Sequence, residues 1–199
     1  SHDLRSPLAL IAGYADMITM DLEDAASPIH DYVNIIKSST DRMGGLIEDL
    51  LRVERIRSSP LELQEQTDLE ALVKVAMVNM RPSATARNQR FSGELNLKGI
   101  PRVVIDPVLI RQAMENLIGN AIKYTPDGGA IKVYASYDQQ SFEFIVQDSG
   151  VGIAAEHLAY IFEPFYRVQA TVTQKGSGLG LSLVKNVVER HHGQVWVES

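Results

Sequence analysis

The feature that most constrains this chain is a pair of apolar series, each stepped alternately by four and three residues, in its first 58 positions. Leu4, Leu8, Ile11, Ala15, Ile18 and Leu22 form the first. Tyr32, Ile36, Ser39, Met43, Leu46, Leu50 and Val53 form the second, with one polar member. That spacing is the signature of a helical seam. Between them Ala25-Ala26-Ser27-Pro28 breaks the pattern, with Ser27 suited to cap a helix and Pro28 to open it. A hairpin of two such helices cannot bury both apolar faces by itself. A second copy that completes a four-helix bundle, and so a homodimer, is the expected solution; packing on the rest of the chain is the alternative.

Ser58-Ser59-Pro60 ends the second helix and reads as a linker, which divides the chain into 1–58 and 59–199. Beyond it the pattern mixes. Strands are expected at Leu61–Gln66, Arg102–Ile105, Ile131–Tyr137, Ser141–Gln147 and Gln194–Glu198. Helices are expected at Leu69–Asn88, Pro107–Tyr124 and Leu179–His191. One sheet and one helical layer make an α+β two-layer sandwich. The whole is therefore an all-α hairpin followed by an α+β domain.

Composition excludes several chemistries. The chain has no cysteine, so disulfides, thiolate catalysis, Cys-ligated zinc and iron–sulfur clusters are ruled out, and a reducing cytoplasm fits. A net charge of -6 argues against a duplex nucleic-acid binder. No apolar run approaches the roughly 20 residues that cross a bilayer. The opening Ser1-His2-Asp3-Leu4-Arg5 lacks an initiator Met and a signal-peptide pattern. It reads as a piece of a longer protein, whose membrane association, if any, would come from upstream segments.

Four groups of residues carry chemistry. Projecting the first seam backwards places His2 off it, towards solvent, where Asp3 can orient or deprotonate the imidazole. A lone surface histidine is usually no more than that, so His2 needs a partner site. Asp148-Ser149-Gly150-Val151-Gly152-Ile153 follows a strand; its glycines allow close backbone approach, and Asp148 can accept a hydrogen bond from an exocyclic amine such as that of adenine. Gly176-Ser177-Gly178-Leu179-Gly180-Leu181 opens the last helix, where free backbone N–H groups suit phosphate. Asn116, Asn120 and Lys123 share one face of the helix ending at Tyr124; amide oxygens suit Mg2+ and the lysine suits phosphate.

Taken in order, these stretches resemble the bacterial sensor histidine kinases of two-component systems over nearly the whole chain. Ser1–Leu8 is similar to the family's H box, Asn116–Tyr124 to its N box and Asp148–Ile153 to its first glycine box. Phe162-Glu163-Pro164-Phe165-Tyr166-Arg167 is similar to the F box, and Gly176–Leu181 to the second glycine box. The resemblance implies ATP-dependent autophosphorylation of His2, with Asp3 as base or orienter, then transfer to an aspartate on a response regulator receiver domain. It implies Mg2+ held by Asn120 with Asn116, phosphate contacts from Lys123 and Arg167, and Tyr124 packed near the nucleotide. It further implies that Asp148, with Gly150 and Gly152, reads adenine. A lid from Ile153 to Gly176, gripped by Phe162 and Phe165, would cover ATP, and Gly176, Gly178, Leu179 and Gly180 would line its phosphates.

Three departures stand out. Ser6 occupies a position where the family more often has Thr, associated with dephosphorylating the partner. The chain starts one residue before His2, so the upstream part of the first helix is expected to be missing. It also stops at Ser199, where relatives usually continue through a Gly-rich turn into another strand. Two other readings are weighed against the autokinase. One is an ATPase of the gyrase and chaperone class, which activates water with a Glu and has no H box. The other is a degenerate dimeric scaffold, which the intact motifs oppose.

Overall fold

The computed structural model describes residues 2–21, 28–138, 140–168 and 177–199; of 2–7, 21, 28, 42, 46, 48, 49, 52, 55 and 57 it describes the backbone alone. The chain divides into two compact units, Ser1–Ser58 and Ser59–Ser199.

The first unit is a helical hairpin of α1 (His2–Asp21) and α2 (Pro28–Ser58). Helix α1 runs through Pro7. The proposed cap Ser27 lies outside the described residues. The hairpin buries Ala15, Val33, Thr40 and Ile56. The Thr40 hydroxyl is satisfied by donating to Ile36 O at 2.8 Å. A single hairpin buries α2 positions one step from the expected seam, and the seam members Tyr32, 63% exposed, Ile36, Met43 and Leu50 stay uncovered in the one chain. A 4–3 spacing measures how wide an apolar face is, but not which flank of it the neighbouring helix covers. Lys37 and Asp16 bridge the helices at 2.6 Å, but both are well exposed, so the pair adds little.

The second unit contains β1 (Gln64–Thr67), α3 (Leu69–Ala86), β2 (Arg90–Asn96), β3 (Val103–Ile105) and α4 (Pro107–Tyr124). It continues with β4 (Ala130–Tyr137), β5 (Phe142–Asp148), the short α5 (Ala155–Leu158) and α6 (Gly180–Arg190). The main sheet has order β2-β4-β5, with β2 parallel and β5 antiparallel to β4; β1 and β3 pair separately. Alternate residues of β4 point into the helical layer, so Ile131, Val133 and Ala135 are buried against Val73, Met77, Ile118 and Ile122. Two helices, α3 and α4, cover the sheet, and α6 packs on α4.

Two expectations from the sequence need correction. Strand β2 is not expected from the sequence, because its polar run is interrupted by Gly93, where the tip of the Met77 side chain of α3 packs and would have to shift for a larger residue. The expected strand at Gln194–Glu198 does not form: the stretch has no ladder, although Val195 and Val197 are half-buried and Trp196 and Glu198 exposed. Alternation reports a buried face, not a hydrogen-bonded partner. Helix α4 keeps its expected bounds, and the remaining boundaries differ by at most three residues, as at β1 and the end of α3.

Helix α4 is anchored at its start. The buried Asp106 accepts from Val108 N and Leu109 N, both at 3.1 Å, and from Glu62 N at 3.1 Å. Its own N–H donates to His191 Nε2 at 3.0 Å, and His191 Nδ1 donates to Val187 O at 2.7 Å, which fixes a neutral tautomer. Asp106→Ala leaves three partly buried donors without acceptors and is expected to destabilise this unit by on the order of 1–2 kcal/mol. Urea unfolding followed through Trp196, the single tryptophan, measures it. An unchanged midpoint would contradict the role given to the cap.

Candidate functional site

Three close approaches assemble the motif residues of the second unit. The first joins α4 to α6. A Cβ built on Gly180 would stand 3.3 Å from Asn116 Oδ1 and 3.8 Å from Asn120 Nδ2, so both amides border the first residue of α6. Asn116 Nδ2 donates to Gln112 O at 2.9 Å, which leaves Oδ1 as the atom turned towards α6. One turn on, Lys123 Nζ lies 3.0 Å from Tyr124 Oη and 4.7 Å from the ring centre, a cation held over an aromatic face.

The second approach joins the end of β5 to the end of α4. Gly150 N donates to Asp148 Oδ1 at 2.7 Å, which closes the turn. A Cβ on Gly150 would lie 2.7 Å from Tyr124 O, closer than a side chain can come, so only glycine lets the two backbones meet. Ser149 ties the turn to β4, donating from its N to Ala130 O at 3.0 Å and accepting Ala130 N at Oγ at 2.9 Å. Two residues on, Gly152 borders Ser199, whose Oγ accepts Ile153 N at 2.6 Å. Asp148 itself is exposed.

The third approach joins the F-box stretch to the second glycine run. Phe165 N donates to Gly178 O at 3.1 Å. Gly178 has φ +78°, and a Cβ there would fall 2.9 Å from Phe165 C. Phe165 also takes a left-handed φ, +65°, with its ring half exposed; such a conformation costs a bulky residue on the order of 1–3 kcal/mol. Leu179 is buried beneath the corner. Phe162 and Arg167 are half-buried in the same stretch.

Gly176 lies outside the described residues, as do residues 169–175 of the expected lid. His2 and Asp3 fall within α1, with side chains outside what is described. Among the described residues no cluster of three His, Cys, Asp or Glu could hold a metal. A cation at this site would therefore rest on amide and phosphate oxygens. Asn116 and Asn120 supply the former, which fits a hard ion. A cleft of about 240 Å³ lined by Asp68, Leu97, Lys98 and Arg102 shares no residue with the motifs.

Sequence reasoning missed several side chains around the site. His157 Nδ1 and Tyr166 Oη are 2.8 Å apart, tying α5 to the F-box corner. Arg87 and Gln89 reach the carbonyls at the end of α4. Single polar residues in turns carry no periodic signal that could have flagged them.

Comparison with known proteins agrees with this geometry. Residues 105–199 match the family described as histidine kinase-, DNA gyrase B- and HSP90-like ATPase. Residues 1–59 match the His Kinase A phospho-acceptor domain. The chain belongs to the sensor histidine kinases of two-component systems.

Among relatives of this histidine kinase chain, the phytochrome-like protein Cph1 of Synechocystis sp. is 30% identical over 201 residues, covering 100% of the chain and 26% of Cph1. The phosphate regulon sensor protein PhoR of Pseudomonas aeruginosa is 31% identical over 203 residues, covering 100% and 45%. The chain thus spans less than half the length of these two curated relatives. A solved structure of histidine kinase ThkA in complex with the response regulator protein TrrA superposes with a TM-score of 0.70 at 27% identity, covering 100% of this chain and 55% of that one. Full-length ShkA in complex with AMPPNP gives 0.67 at 28% identity, covering 94% and 39%. Among the described residues no helix is long and apolar enough to cross a membrane.

The Phe165–Gly178 corner can be tested directly in this histidine kinase chain. Gly178→Ala forces a side chain into a left-handed site already in contact with backbone. It is expected to cost about 1–3 kcal/mol in urea unfolding followed at Trp196. A neutral result would show that the corner is not formed in solution.

Proposed function

We propose that this chain is an autokinase core in which residues 59–199 bind ATP and residues 1–58 present the acceptor His2. A ring nitrogen of His2 would attack the γ-phosphorus; the N–P bond forms as the bond to the bridging oxygen breaks, and ADP leaves. The phosphoryl group would then pass to an aspartate of a response regulator receiver domain. The observation that carries the reading is the border between Gly180 and the Asn116 and Asn120 amides. There a helix N-terminus, whose free N–H groups suit phosphate, meets the Asn116 side-chain oxygen, which suits a cation, beside the Asn120 amide.

Asn120 with Asn116 would hold Mg2+, which when bound neutralises charge on the phosphates. Lys123 and Arg167 would contact phosphate oxygens, with Gly176, Gly178 and Leu179 lining them. Tyr124 would flank the nucleotide, Asp148 with Gly150 and Gly152 would read adenine, and Phe162 would belong to the cover. Asp3 would orient or deprotonate His2. Phosphoryl transfer depends on placement and charge neutralisation more than on covalent help, which suits a site built of amides, cations and backbone donors.

The hairpin would dimerise through the flank its own fold leaves open. The seam residues Ile11, Ile18, Tyr32, Ile36, Met43 and Leu50 are exposed there in the single chain. Apolar side chains in such number on one helical pair call for a cover, and a second copy supplies a matching one. ATP and receiver domains are reagents of the cytoplasm, where the core would act.

The ATPase reading is disfavoured by Glu115, the one acidic residue of α4. Its carboxylate is engaged by Asn79 Nδ2 at 2.8 Å and Arg111 Nη1 at 3.0 Å, and an amide, Asn116, borders Gly180 instead. Incubation with γ-labelled ATP and Mg2+ tests the proposal. Acid-labile, base-stable label is expected on the chain, absent in His2→Gln and reduced on the order of 100-fold in Asn120→Ala. Phosphate release with no label on protein would support the ATPase instead.

A further inference from the structure

Helix α4 ends without a glycine cap. Its C-cap residue Thr125 is extended and is followed by Pro126. The last carbonyls of a helix have no partner within it, so something else must meet them. Here two side chains from the turn after α3 do so. Arg87 Nη1 donates to Ile122 O and to Lys123 O, the latter at 3.1 Å. Gln89 Nε2 donates to Ile122 O at 2.9 Å and to Thr125 O at 2.8 Å. Between them Asn88 takes φ +52°, a conformation asparagine tolerates, and reverses the chain.

The attachment is reinforced by backbone. Gly128 N donates to Arg87 O at 3.2 Å and Arg90 N to Gly129 O at 2.8 Å. Arg87 Nε also pairs with the exposed Asp127 at 3.0 Å. Gln89 is 93% buried by its 7% exposure, so its amide is committed to this contact rather than to solvent. A guanidinium against helix C-terminal carbonyls is also favoured by the helix dipole.

The carbonyls gripped belong to Ile122, Lys123 and Thr125, which bracket the N-box residues Lys123 and Tyr124. The carbonyl between Lys123 and Thr125, Tyr124 O, is the one that abuts Gly150. The end of α4 is thus held on one side by Arg87 and Gln89, and on the other by the first glycine turn. We propose that Arg87 and Gln89 are positioning residues of the nucleotide site, fixing Lys123 and Tyr124 against the Asp148–Gly152 turn. They touch no substrate and act through the helix end. The inference rests on the ATP site proposed above.

The test uses the whole 199-residue chain. Titration with Mg2+–AMP-PNP and steady-state autophosphorylation are compared for wild type, Arg87→Ala, Arg87→Lys and Gln89→Met, at a temperature where circular dichroism shows each folded. Displacing a contact residue by a fraction of an ångström is expected to weaken Mg2+–AMP-PNP binding on the order of tenfold in Arg87→Ala. KM for ATP should rise by a similar factor while kcat changes less, and Arg87→Lys should recover part of the loss. Gln89→Met, which is isosteric and apolar, should shift KM in the same direction and serves if Arg87→Ala does not fold.

Affinities within twofold of wild type in folded Arg87→Ala or Gln89→Met would overturn the inference, leaving the turn a stability element. Failure of the underlying site looks different: wild type would not bind Mg2+–AMP-PNP, or Asn120→Ala would bind it as well as wild type does.

Discussion

The arrangement of the second unit depends on how helix α4 is gripped. Its apolar side, through Met114, Ile118 and Ile122, is buried on the sheet, so it cannot rotate without opening the core. Its start is capped by Asp106, which also binds Glu62 N and, through its own N–H, His191 at the end of α6. Its end is met by Arg87 and Gln89. With rotation and both ends fixed, the side left over is the one bearing Asn116, Asn120 and Lys123. The start of α6 and the turn after β5 are then placed by contact with that helix, at Gly180 and Gly150 respectively.

A nucleotide site of the kind proposed needs no carboxylate cluster, and the described residues hold none. Groups that neutralise or orient a polyphosphate need not change protonation; they need to be in place before it arrives. Amides, a lysine and helix N–H groups meet that requirement, provided the backbone holds them. The glycines at Gly150 and Gly178 are where backbones come too close for a side chain, and Phe165 accepts a left-handed φ at the same corner. At Phe165 local strain falls where two motif stretches touch, as expected of a site whose geometry outranks its local stability.

Much of the fold was legible because the decisive signals were local. Asp106 before Pro107, followed by a 3.6-residue apolar period, gives α4 its observed span. Strand β4 is readable from Ile131, Val133 and Ala135, alternate and apolar. What escaped depends on distant partners. Gly93 hides β2 because its reason is Met77, and the stretch from Gln194 shows a buried face but finds no ladder. In the hairpin the spacing identified the helices, while the residues one hairpin buries, Val33 and Thr40, stand one step from the seam members Tyr32 and Ser39. For the site, the glycine and asparagine stretches announce themselves by composition; Arg87, Gln89 and His157 do not, since one polar residue in a turn looks like any other.

The central claim is that the N box, the turn at Asp148–Gly152 and the start of α6 form one nucleotide site. Backbone amide spectra recorded with Mn2+–AMP-PNP test it most directly, since the paramagnetic ion broadens only nearby signals. The account expects broadening centred on Asn116, Asn120 and the residues around Gly180, with weaker effects at Gly150. Broadening centred instead on the Asp68–Arg102 cleft, or none at saturating nucleotide, would contradict it.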